Sequence, residues 1–264
     1  MLVNSVIIVL REVLEAALMI GILLAVARHV PTGRRWLLVA FVLALGGAVA
    51  YARNLATVSA MFGGVGQELL NAGMHLGVFA ALVVVVFYIA RRHGDVGEQS
   101  RVLPAAMAVA VALAVAQEGS EVFIYVSGFL QVEEFASGVT LGSIAGAGIG
   151  FSVGVLFYYA LVGQPEGRAR WIAVILLAFA AANMCIQATN LLIQADWLPS
   201  AAPLWDSSAL LPEDSLVGQL LYALVGYEAT PSALEAGTYG IGFAFILLAA
   251  FAGWWLFPIE EAHA

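Results

Sequence analysis

Arg11-Glu12-Val13-Leu14-Glu15 sets three charges inside an apolar run that extends from Leu2 to Ala27. Hydrocarbon solvates none of them, and each costs about 2.5–3.5 kcal/mol near the centre of a membrane helix. A chain keeps such a cost at ion paths, ligand sites or proton relays. Glu12 and Glu15 are three residues apart, so a helix puts both carboxylates on one face. Arg11 precedes Glu15 by four and can pair with it. A second cluster, Gln117-Glu118-Gly119-Ser120-Glu121, repeats the three-residue spacing inside another apolar run. Two such pairs on two helices can surround one cation with oxygens, and carboxylates suit hard ions. With all four acids ionised and Arg11 beside them, four negative charges and one positive leave minus three. Low dielectric does not tolerate that charge, so some carboxyls are expected to hold protons that an entering cation displaces. The competing reading is a set of interhelical pairs holding a bundle together, but one arginine cannot neutralise four acids.

The elements that position these groups follow from hydropathy. At 264 residues, 62% hydrophobic and mean hydropathy +0.97, the chain is too apolar for a soluble domain. Its apolar runs approach or exceed the roughly 20 residues that cross a bilayer, and they are continuous, unlike the alternating segments of a β-barrel. The expected fold is an all-α polytopic membrane protein, one transmembrane domain over residues 1–264. Its seven spans are placed at about 2–27, 36–58, 69–90, 104–130, 139–163, 171–194 and 239–257. Polar punctuation separates them: Pro31-Thr32-Gly33-Arg34-Arg35, Gly63–Glu68, Arg91-Arg92-His93-Gly94-Asp95, Glu133-Glu134 and Gln164–Arg168. Only 195–238 reads as a long loop. The N-terminus lacks a basic stretch before its apolar run, so the first span is expected to act as its own insertion signal.

Arginine placement gives an orientation. Arg28, Arg34, Arg35, Arg91, Arg92, Arg101, Arg168 and Arg170 fall in the first, third and fifth loops, and the other side holds only Arg53. By the positive-inside rule the odd loops are cytoplasmic, with the N-terminus outside and the C-terminus inside. The outer loops then collect Glu68, Glu133, Glu134, Asp196, Asp206, Glu213, Asp214, Glu228 and Glu235. An acidic face of that kind concentrates cations, although acids also accumulate wherever arginine is excluded. The two carboxylate clusters occupy spans one and four, which cross in opposite senses. This fits an inverted repeat of spans 1–3 and 4–6 with span seven added, an arrangement that puts substrate near the midplane.

Other polar positions say less. Asn183, Gln187 and Asn190 share a face of the sixth span, where interhelical hydrogen bonding competes with a pore-lining role. His75, four residues after Asn71, is a second-tier candidate of the same kind. Gly142, Gly146, Gly150 and Gly154 recur every fourth residue, which reads as close helix packing, and Gly119 and Ser120 are expected to let the first and fourth helices approach. Trp254 and Trp255 fit an interfacial belt. The single Cys185 excludes an internal disulfide and a cysteine-cluster metal site. With ten arginines and no lysine, nothing suggests nucleic-acid binding. No nucleophile–base set or histidine-rich centre points to an enzyme or a resident cofactor.

Arg-Glu-x-x-Glu in the first span, Glu-x-x-Glu in the fourth and seven spans with the N-terminus outside resemble the high-affinity iron permease family over the whole chain. That family contains oxidase-dependent ferric transporters and the bacterial EfeU-type permeases. Pro203–Ser208, Leu224-Val225-Gly226-Tyr227 and Pro231 also resemble the bacterial members. The resemblance implies ferric rather than ferrous import across the cell inner membrane, supplied by an extracytoplasmic oxidase or iron-binding protein. It puts Glu12, Glu15, Glu118 and Glu121 at the motif positions. This sequence departs at Gln117, where the family usually has a second arginine, and that bears on ion preference. A divalent or heavy-metal importer with the same cage, and a non-transporting metal-binding sensor or subunit, are the alternatives. The absence of a large cytoplasmic signalling domain counts against the sensor.

Overall fold

The computed structural model describes residues 1–28, 35–91 and 101–256. Pro31–Arg34, Arg92–Asp95 and Phe257, parts of loops and a span drawn above, lie outside the described residues. Among the described residues there are eight α-helices and no extended sheet: α1 (Leu2–Ala27), α2 (Arg35–Ala60), α3 (Gly66–Ile89), α4 (Val102–Leu130), α5 (Glu133–Val162), α6 (Glu166–Gln194), α7 (Leu216–Val225) and α8 (Ala233–Leu256). A short 3₁₀ turn, Met61–Gly63, joins α2 to α3. Six helices, all but α1 and α7, are long and apolar enough to cross a membrane. The first, α1, has 26 residues, with Arg11, Glu12 and Glu15 near its middle.

Several helices start earlier than hydropathy alone suggests. Glu68, Glu133, Glu134, Glu166 and Glu235 read as loop residues by hydropathy but lie in the first turns of α3, α5, α6 and α8. Acids there complement the positive end of the helix dipole, so a polar residue is compatible with helix before the apolar window opens. At α8 the reason is visible in atoms. Ser232 Oγ accepts from the Glu235 backbone N–H at 3.3 Å, and Glu235 Oε2 accepts from the Ser232 N–H at 2.6 Å, a reciprocal cap. Tyr51–Val58, the polar end of the second apolar run, stays helical within α2.

The contacts fix helix directions. Down the α1/α5 seam, Gly142 meets Leu2 and Ser5, Gly146 meets Val6 and Leu10, Gly150 meets Leu10 and Leu14, and Gly154 meets Ala17. Residue numbers rise together, so the two helices are parallel. A side chain on these glycines would strike α1 backbone, which is why the stripe is glycine. Helix α4 runs antiparallel to α1, with Ser5 Oγ 2.8 Å from Tyr125 Oη at one end and Glu12 meeting Glu118 and Glu121 further along. It is also antiparallel to α3, where Gly77 faces Leu113. Helix α8 runs with α3 through Phe79–Phe245 and against α6 through Phe179–Phe243 and Thr189–Thr238. Leu23, Leu82, Val85, Leu103, Met107 and Leu177 fill the centre between α1, α3, α4 and α6. Leu38, Val42 and Leu45 of α2, Leu141, Ile144 and Leu156 of α5, and Ile241 and Leu248 of α8 are exposed, an apolar perimeter of the kind a bilayer covers.

The segment 195–238 is not a loop throughout. Ser215 caps α7 by accepting from the Gly218 N–H at 3.0 Å. The helix ends at Gly226, whose φ of +67° favours glycine. Leu220, Ala223 and Leu224 of α7 pack on Leu10, Leu14 and Leu18 of α1. Gly226 lies against Asn183, so α7 reaches the level of mid-α1 and mid-α6. The chain then returns: Ser207 N–H donates to Ala229 O at 2.9 Å and Leu204 N–H to Pro231 O at 2.8 Å. The apolar content of Leu216–Val225 is legible in the sequence. Its ten residues are simply too few to register as a span.

The seam predicts a sharp contrast between neighbouring glycines. Gly146→Val overpacks α1 against α5 and lowers stability by about 1–3 kcal/mol or more, read as a drop in unfolding temperature of the purified protein. Gly148→Ala, with open space at its Cβ position, does not lower that temperature.

Candidate metal centre

The parallel α1/α5 seam and the antiparallel α1/α4 crossing bring the two acidic clusters together. One carboxylate oxygen from each of Glu12, Glu118 and Glu121 lies within 4.8 Å of the others. Ligands around a six-coordinate ion with bonds of about 2.1 Å stand about 3.0 Å apart when adjacent and about 4.2 Å when opposite, so the group draws inward to hold a cation. Glu12 and Glu118 are buried, at 3% and 5% exposure. Burial raises the cost of carrying charge and excludes the water that would otherwise screen it.

Glu15, expected beside Glu12, is not in this group of three. It is also buried, and its Oε2 accepts from Gln187 Nε2 of α6 at 2.9 Å. Arg11 pairs with Glu12 rather than with Glu15. Its Nε and Nη2 donate to Glu12 Oε1 at 2.9 and 2.5 Å, and its guanidinium lies 5.3 Å from the centroid of the Tyr222 ring. Helical spacing permits the Arg11–Glu15 pair. Gln187 engages Glu15 and α7 supplies an aromatic face for Arg11, and neither partner is visible from the local sequence.

Gln117 points its amide nitrogen at His75 Nε2 of α3, and Glu121 lies within reach of the same amide. An amide nitrogen has two N–H groups, so one remains for a second acceptor. His75 Nδ1 lies 3.3 Å from Met184 Sδ, so the histidine is held between α4 and α6. Gly119 was expected to bring α1 and α4 together, but no atom lies within 4 Å of its Cβ position. Instead it lines two cavities, of about 500 and 780 Å³. The first also touches Glu12 and Glu118 and is otherwise walled by apolar and aromatic residues such as Phe41, Phe151 and Tyr158.

The polar face of α6 is continuous with the site. Asn190 lies near Glu228 in the segment that follows α7, where burial, then Glu235 and Glu213, push the Glu228 carboxyl up to about 7. Gln187 leads to Glu15, and Asn183 Nδ2 donates to Tyr222 O at 3.4 Å. Among the described residues Asn71 Oδ1, Gln117 Oε1, Asn183 Oδ1 and Asn190 Oδ1 are buried acceptors without a protein partner. Buried amide oxygens of this kind are satisfied by water or a hard cation.

Three converging carboxylates, with no thiolate or histidine in the group, suit a hard metal ion. The chain matches no curated protein and no solved structure. The model of the iron permease FTR1 family matches residues 2–257. The chain therefore belongs to the iron permease FTR1 family, a family of multi-pass membrane transporters of iron.

Proposed function

We propose that the protein imports ferric iron across the cell inner membrane by way of Glu12, Glu15, Glu118 and Glu121. The convergence of Glu12, Glu118 and Glu121 from two antiparallel helices carries this reading. Glu15 stands behind them with Gln187 and supplies the fourth carboxylate when the ion moves on. Binding exchanges protons for metal, because the cluster cannot hold four ionised carboxylates against one arginine. Ferric ion, delivered by an extracytoplasmic oxidase or binding protein, meets Glu228 first. It then follows Asn190 and Gln187 along α6 to the centre. His75 and Gln117 hold Glu121 in place rather than ligate the ion.

On this reading α1 is the first of seven crossings. Helices α1, α3, α5 and α8 run one way and α4 and α6 the other, which supports it. The packing partners also exchange under a swap of α1–α3 with α4–α6: α1 packs on α5 as α4 packs on α2, and α3 packs on α6. That pattern supports the inverted repeat, with α8 added. With the N-terminus outside, single cysteines in a Cys185→Ser background report the orientation. Ser200→Cys, at an exposed position after α6, reacts with an impermeant reagent from outside and Gly167→Cys only after permeabilisation. The reverse pattern overturns the orientation.

Uptake of iron by the purified protein in vesicles, with ferric and ferrous ion and with and without a pH gradient, tests the function. Glu12→Gln, Glu15→Gln, Glu118→Gln and Glu121→Gln preserve volume and remove charge, and each lowers uptake by about tenfold or more. Glu133→Gln and Glu134→Gln reduce uptake chiefly at low iron. Near-normal uptake by inserted Glu12→Gln and Glu118→Gln variants contradicts the site, and preference for a divalent ion contradicts the ferric assignment.

A further inference from the structure

Among the described residues Arg11 is the cation paired with the acidic group, and two elements hold it. Glu12 holds it from α1 itself through two hydrogen bonds to one oxygen. Tyr222 holds it from α7, with the guanidinium carbon 5.3 Å from the ring centroid, inside the range of cation–π attraction. Ala223, Leu220 and Leu224 pack on Leu10, Leu14 and Leu18, so the ring is fixed beside α1.

Glu12 therefore has two claimants. It closes the ion pair with Arg11, and it is one of the three carboxylates that converge on a cation. A cation bound to Glu12 competes with Arg11 for the charge of that carboxylate and repels the guanidinium. The Tyr222 ring offers Arg11 a partner for which the ion does not compete. Gln187 already holds Glu15 through Oε2. We propose that Tyr222 is a positioning residue for the carboxylate centre: its ring holds Arg11 at the edge of the site and frees Glu12 for the ion. This rests on the metal reading given above. It also makes the hairpin around α7 a wall of the centre. The attraction comes from the ring face, and the hydroxyl is dispensable.

Ferric ion, kept soluble by a weak chelator, is titrated into the purified full-length chain, and the same proteins are unfolded by heat without iron. Tyr222→Leu, or the longer Tyr222→Met should the leucine variant not fold, weakens iron binding between about twofold and thirtyfold. Tyr222→Phe restores binding to within about twofold of wild type. In an Arg11→Met background the loss of the ring has no further effect, because the interaction it removes is already gone. An equal loss with and without Arg11, or a phenylalanine variant as weak as leucine, overturns the proposal. Wild-type protein that binds no iron, with residues 11 and 222 still coupled in thermal unfolding, overturns the metal reading and leaves the contact standing. Iron binding by the wild type without coupling in either measurement overturns this proposal alone.

Discussion

Three buried carboxylates and a half-buried fourth against one guanidinium are the constraint on which the structure depends. In water, charges a few ångströms apart interact weakly; at an effective dielectric of about 20 a pair 4 Å apart interacts by about 4 kcal/mol. The like-charge repulsion among Glu12, Glu118 and Glu121 therefore opposes folding unless protons or a cation offset it. Packing elsewhere must hold the two helices together against it. The glycine stripe of α5 does so by bringing backbone to backbone along α1, and the apolar centre around Leu82, Val85 and Leu177 holds α3 and α6 behind.

The same constraint explains how polar groups are distributed. Each of three acids has a distinct neighbour: Arg11 bonds to Glu12, Gln187 bonds to Glu15, and the Gln117 amide lies four residues before Glu121 on the same helix. One pair carries a full positive charge and two are neutral. A neutral amide orients a carboxylate without cancelling its charge, so the centre stays attractive to a cation. Gln117 fits this logic, since an arginine there would occupy carboxylate oxygens and repel the ion. Its anchor is His75, itself fixed against Met184, which locks the amide in place.

Much of this was legible in the sequence because the signals were local. Charges in an apolar run, three-residue spacing and a four-residue glycine period each reflect one helix and its face. The relations between helices were not. That Arg11 turns to Glu12 and Tyr222 rather than Glu15 depends on α7, more than two hundred residues away in the chain. That Gly119 opens cavities instead of closing a contact depends on where α2 and α5 stand. His75 reads as an isolated histidine until α4 delivers Gln117 to it. Helix α7 was hidden by its length, since ten residues satisfy neither a span nor an ordinary loop.

The central claim is that these carboxylates, and no other donors, take the ion. X-ray absorption at the iron edge of the loaded, purified protein tests it most directly. A first shell of oxygen alone, with one iron per chain and loss of the bound iron in Glu118→Gln, is the predicted result. A first shell containing imidazole nitrogen or sulfur, or iron retained unchanged in that variant, would contradict the account.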